Sequence, residues 1–95
     1  MTHPMNSYIN AKAVGRNLEI LHNVTIGKSK GKLPIIGDNV FIGCGACVLG
    51  GINVGNNVNI GANSVIVKDV PDNCTVVGNP AYIVRLNGKT VNIKL

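Results

Sequence analysis

The sequence predicts an all-β fold in which one strand winds through stacked triangular coils, a single-stranded parallel β-helix of about three coils with a C-terminal β-hairpin cap. Three observations predict it. Apolar residues recur every six positions at Ile36, Ile42, Val48, Val54, Ile60 and Ile66. Two residues before these anchors sits a second apolar or small side chain: Val40, Ala46, Ile52, Val58 and Ser64. Three residues after them comes a residue suited to a tight bend: Asn39, Gly45, Gly51, Asn57, Asn63 or Asp69. Inward, outward, inward over three residues is the period of a strand, and Asn, Asp and Gly tolerate positive φ. A helix is excluded, because Asn or Gly at every sixth position weakens helices strongly.

The same register runs upstream through Val14, Ile20 and Ile26, with Leu18 and Val24 two residues before and Asn17 and Asn23 three after. Ile9 arrives one residue early, and four extra residues lie between Ile26 and Ile36. Three bends close a triangle. Val14, Ile36 and Val54 then stack in one interior column, Ile20, Ile42 and Ile60 in a second, and Ile26, Val48 and Ile66 in a third. So narrow an interior suits branched aliphatics, in keeping with an aromatic content of 3% and no Trp. After Val70-Pro71-Asp72 the period is expected to stop. Tyr82–Leu86, Asn87-Gly88 and Lys89–Leu95 read as a β-hairpin with an Asn-Gly turn. One domain spanning 1–95 is expected, with coils over about 8–70 and the cap over 71–95. The sequence shows no comparable cap for the first coil, so self-association is expected to cover it.

Composition narrows the function. The chain has 95 residues, 14% of them charged and 45% apolar, which favours a folded chain over a disordered one. No apolar run reaches the ~18 residues of a membrane span, and MTHPMNSYIN lacks the pattern of a secretory signal. Three cysteines argue against a disulfide framework and suit a reducing cytoplasm. Cys44 and Cys47 lack a second pair nearby, so no metal is expected. The net charge of +5 is dispersed and has few stacking aromatics beside it, which disfavours nucleic acid.

Units of the form Ile-Gly-x-Asn-Val-x resemble the hexapeptide-repeat acyltransferases, whose fold is the left-handed parallel β-helix. Val65–Val70 leading to Val77-Gly78-Asn79-Pro80-Ala81 and Arg85 is similar to the C-terminal signature of the acetyltransferases. Ile20-Leu21-His22-Asn23-Val24-Thr25-Ile26-Gly27, a Gly/Lys loop and Pro34 resemble the serine acetyltransferase branch. His3-Pro4 with Ile9-Asn10 resembles the coil in which that branch places a catalytic histidine. The resemblance implies a homotrimer with acetyl-CoA bound along the cleft between neighbouring prisms, and a small-molecule hydroxyl as acceptor, on serine or on a sugar. The sequence also departs from that branch. Lys32 and Leu33 stand where it carries an arginine and a second histidine, Thr2 stands where it carries an aspartate, and its helical N-terminal domain has no counterpart here. These departures support an alternative, a catalytically silent trimeric β-helix scaffold or binding module.

Transfer of acetyl from a thioester to a hydroxyl needs a base near neutrality and donors for the oxyanion, most simply amides at glycine corners. The resemblance assigns the base to His3. His22, at a bend two residues after Ile20, is the second candidate and is expected to point outward. Gly43, Gly61 and Ala62 are small where a pantetheine arm would approach the coils. Lys68 and Arg85 match family positions that contact CoA. Lys30 and Lys32, in the insertion Lys28–Pro34, form a candidate substrate loop.

Overall fold

The computed structural model describes residues 7–95. Its strands are short. The first coil contains β1 (Tyr8–Ile9), β2 (Ala13–Val14) and β3 (Glu19–Ile20), the second β4 (Thr25–Gly27), β5 (Ile35–Ile36) and β6 (Phe41–Ile42). A third contains β7 (Cys47–Leu49), β8 (Asn53–Val54) and β9 (Asn59–Ile60), followed by β10 (Val65–Ile66) and β11 (Cys74–Val77). The chain ends in β12 (Tyr82–Leu86) and β13 (Lys89–Lys94).

Successive coils pair in parallel and make three walls, ordered β1-β4-β7-β10, β2-β5-β8 and β3-β6-β9. The expected columns hold. Val14 lies over Ile36 and Val54, Ile20 over Ile42 and Ile60, and Ile26 over Val48 and Ile66. Ile9 pairs with Ile26, so its early arrival keeps it in the third column. Every anchor from Ile20 to Ile66 is buried, and so are Leu18, Val24, Val40, Ala46, Ile52, Val58 and Ser64 two residues before them. Each such Val or Ile stabilises the fold by about 1.5–3 kcal/mol relative to exposure. Val14 is 40% exposed, since among the described residues no strand pairs above β2.

Two of the three corners follow the expected bend. At the asparagine corner, Asn17, Asn39 and Asn57 have φ of 60°, 57° and 58°. Their side chains form a ladder: Asn17 Nδ2 donates to Asn39 Oδ1 (2.9 Å), Asn39 to Asn57 (3.3 Å) and Asn57 to Asn73 (3.0 Å). At the histidine corner, Asn23, Gly45 and Asn63 have φ of 59°, 74° and 59°.

The third corner corrects the reading. Neither Gly51 nor Asp69 takes positive φ; Gly50, at 92°, does so instead. The period also does not stop at Asp72. Val70 bridges Val54, four residues after Ile66 rather than six, so this corner is two residues shorter than the hexad. The register then resumes. Asn73 has φ of 57°, and Val76 pairs with Ile60 in β11. A search at fixed spacing loses the last coil because the omitted residues fall in a bend, where they change the count and leave the stacking intact.

The expected hairpin is present. β12 and β13 pair antiparallel, and Asn87 and Gly88 between them have φ of 51° and 79°, the signature of a type I′ turn. β12 also pairs antiparallel with β11, which brings Ala81 and Ile83 over the end of the core. No helix of the described residues is long and apolar enough to cross a membrane.

Candidate active site

His22, Gly43, Gly61 and Ala62 fall on one edge of the prism. The His22-Asn23, Cys44-Gly45 and Ala62-Asn63 turns stack there, with Gly45 N donating to His22 O (3.0 Å) and Asn63 N to Cys44 O (2.8 Å). His22 is exposed, as its place two residues after an inward anchor requires. The two glycines are explained by the stacking of coils. A Cβ on Gly43 would lie 2.7 Å from Ala62 N, and one on Gly61 2.8 Å from Val77 Cγ1. Gly43 N donates to Ile60 O and Gly61 N to Val76 O, so both amides are already engaged within the solenoid and neither serves an oxyanion. His3 lies outside the described residues.

Lys30 and Lys32 lie at the next corner, at the far end of β4. Ser29 and Lys32 exchange two backbone hydrogen bonds (3.0 and 3.1 Å), and Lys30 and Gly31, with φ of 52° and 77°, make the turn between them. Pro34 re-enters the core at the inward position two residues before Ile36. The hairpin folds back over the following coil. A Cβ on Gly51 would lie 2.9 Å from Cβ and Cδ of Lys32, so the absence of a side chain there admits the lysine stem. Beneath the loop runs a groove of ≈ 640 Å³ that Lys12, Lys28 and Lys32 line together with Leu33 and Ile35. Lys12 was not singled out in the sequence. It lies two residues before Val14, level with Pro34, and donates its N–H to Pro34 O (2.8 Å). Only the column register reveals that neighbour.

Lys68 and Arg85 do not meet. Lys68 lines a small pocket of ≈ 200 Å³ with Val65, Val67, Pro80 and Lys94, between β10 and the C-terminal residues. Arg85 lies opposite Thr75 and lines a separate groove of ≈ 230 Å³ with Asn57, Asn59 and Asn73, beside the asparagine corner. The candidate residues therefore occupy different edges of one prism. Cys44 and Cys47 are free thiols, and among the described residues no three His, Cys, Asp or Glu side chains gather as a metal group. Burial, and after it the Asp72 carboxylate, raises the Cys74 thiol above its ordinary pKa.

Comparison with known proteins agrees with this geometry. Residues 34–68 match the family model described as bacterial transferase hexapeptide (six repeats). A serine acetyltransferase of Staphylococcus aureus (strain Mu50) is 51% identical over 82 residues, covering 82% of this chain and 38% of that protein. One of Staphylococcus epidermidis is 49% identical over the same span. Among solved structures, the serine acetyltransferase of Neisseria gonorrhoeae superposes with a TM-score of 0.80 at 46% identity, covering 90% of this chain and 35% of the other. The soybean enzyme complexed with serine gives 0.77 at 44% identity, covering 83% and 35%. The chain thus spans less than two fifths of the length of these relatives. Over residues 34–68 it carries the hexapeptide repeat of bacterial transferases, and as a left-handed parallel β-helix it is similar over most of its length to the serine acetyltransferases.

Proposed function

We propose that the chain acts in acetyl transfer from acetyl-CoA to the hydroxyl of a small acceptor, with serine the first acceptor to test. The observation that carries this reading is the 51% identity to a serine acetyltransferase over 82 residues. The residues present suit an acyl-pantetheine donor. Val65 and Val67 offer apolar surface, and the ammonium groups of Lys68 and Lys94 stand beside it for phosphate. Gly43, Gly61 and Ala62 keep the histidine edge low enough for a second prism to approach.

The separation of His22, Lys68 and Arg85 onto different edges favours a homotrimer, in which an edge of one prism faces a wall of the next. His3, as base, takes the acceptor hydroxyl proton while the oxygen attacks the thioester carbonyl. The tetrahedral intermediate then collapses, breaking the C–S bond, and the proton taken up by His3 passes to the sulfur, so that CoA leaves as the thiol. His22, exposed at the histidine corner, is the second imidazole available to the acceptor. Lys30 and Lys32 close the far side of β4.

Thiol release from acetyl-CoA in the presence of serine tests the reading, with His3→Ala and His22→Ala beside the wild type. Loss of a general base lowers the rate by about 10²–10⁴-fold. Equal rates for His3→Ala and wild type would remove His3 from the mechanism. Absence of CoA binding by calorimetry would leave the scaffold reading in its place.

A further inference from the structure

We infer that the groove beneath the inserted loop is a binding site for a phosphate group. Two segments a coil apart deliver its cations: Lys12 before β2, and Lys28 and Lys32 from the inserted loop after β4. The side chains of all three line one groove, where a single polyanion can meet more than one of them. The gathering is built into the backbone. Lys12 N–H is tied to Pro34 O, the Ser29–Lys32 pair closes the hairpin, and the Lys32 stem lies over the bare Gly51 Cα. Asp69, at the same corner, has one carboxylate oxygen engaged by Asn53 N–H at 2.8 Å.

Charge and size select the ligand class. A single carboxylate answers one ammonium group, whereas a phosphate monoester carries about two negative charges near neutrality and a diphosphate more. A groove of ≈ 640 Å³ also has room for more than the anion, and Leu33 and the exposed Ile35 give it an apolar flank. The ligand is therefore a phosphate or diphosphate ester with an organic body. Two sources share this chemistry: the phosphates of CoA, and a second, phosphorylated small molecule. The site stands whether or not the chain transfers acetyl groups; only the CoA source rests on that reading.

Calorimetric titration of the full chain with inorganic pyrophosphate at low ionic strength tests the inference. The double variant Lys12→Gln/Lys28→Gln is compared with Arg16→Gln/Lys89→Gln, which removes the same charge from outside the groove. The groove variant binds about tenfold or more weakly, and the control stays within about twofold of wild type. Circular dichroism confirms that both variants keep their strands. No binding by wild type, or equal weakening in both variants, overturns the site. Repeating the titration with saturating CoA separates the sources. Blocked pyrophosphate binding identifies CoA as the occupant, and unchanged binding excludes CoA and leaves the site to another phosphorylated molecule. If CoA itself gives no heat while pyrophosphate binds, the transfer reading fails and the phosphate site remains.

Discussion

Gly43 lies so close beneath the next coil that a Cβ on it would stand 2.7 Å from the amide nitrogen of Ala62. That nitrogen belongs to the backbone and cannot swing aside. Gly43→Ala therefore forces adjacent coils apart and costs about 1–3 kcal/mol, the range of an overpacked core. Gly61→Ala meets only Val77 Cγ1, the end of an exposed side chain that has room to turn, and costs less. Urea unfolding of both variants checks the order. Equal losses would mean that coil spacing does not decide this edge.

The asparagine ladder combines two effects that substitution can separate. Asn39 holds φ of 57° and makes hydrogen bonds with both Asn17 and Asn57. Asn39→Gly keeps the bend and loses the amide bonds, at about 0.5–1.5 kcal/mol for each bond lost. Asn39→Ala also places a Cβ in the left-handed region, which adds about 1–2 kcal/mol. Thermal unfolding should rank wild type above Gly and Gly above Ala. Alanine as stable as glycine would show that the bend carries no strain.

Ser64 is the one buried polar residue among the described core, and its hydroxyl accepts the Gly78 N–H at 3.0 Å. Val65 N in turn donates to Gly78 O at 3.1 Å, so both sides of Gly78 are held against the coil. Ser64→Ala leaves that N–H without its partner at a cost of about 1–3 kcal/mol. Hydrogen exchange at Gly78 should accelerate in the variant while exchange in β4 and β6 changes little.

Stability should fall as the solution becomes alkaline, and Cys74 should account for part of the slope. Its thiol donates to Pro71 O at 3.1 Å, and burial followed by the Asp72 charge raises its pKa in the folded state. The folded state then holds the proton more tightly than the unfolded state. The contribution is complete below the ordinary thiol value of about 8.5 and is lost as pH rises through the higher folded value. Melting temperatures of wild type and Cys74→Ala between pH 7 and 10 check this. The wild type should lose more on the alkaline side, and parallel curves would contradict the assignment.

The sequence by itself determined the inward positions, the columns they stack into and the bends at Asn17, Asn39, Asn57 and Asn63, because a repeating six-residue period fixes each of them. The Asn87-Gly88 hairpin was legible from its two turn residues. The resemblance to acetyltransferases was equally readable in short motifs, in Asn79-Pro80 for the acetyltransferases at large and in the stretch around His22-Asn23 for the serine branch. Only the tertiary structure decided that Val70 and Asn73 continue the spiral, since residues omitted at a bend alter the count without altering the stacking. Only the structure assigned Gly43 to coil spacing, set Lys68 and Arg85 on separate edges, and drew Lys12 beside Lys28 and Lys32. Those relationships run along the solenoid axis, where neighbours are a whole coil apart in sequence and no local pattern records which side chains come to share one edge.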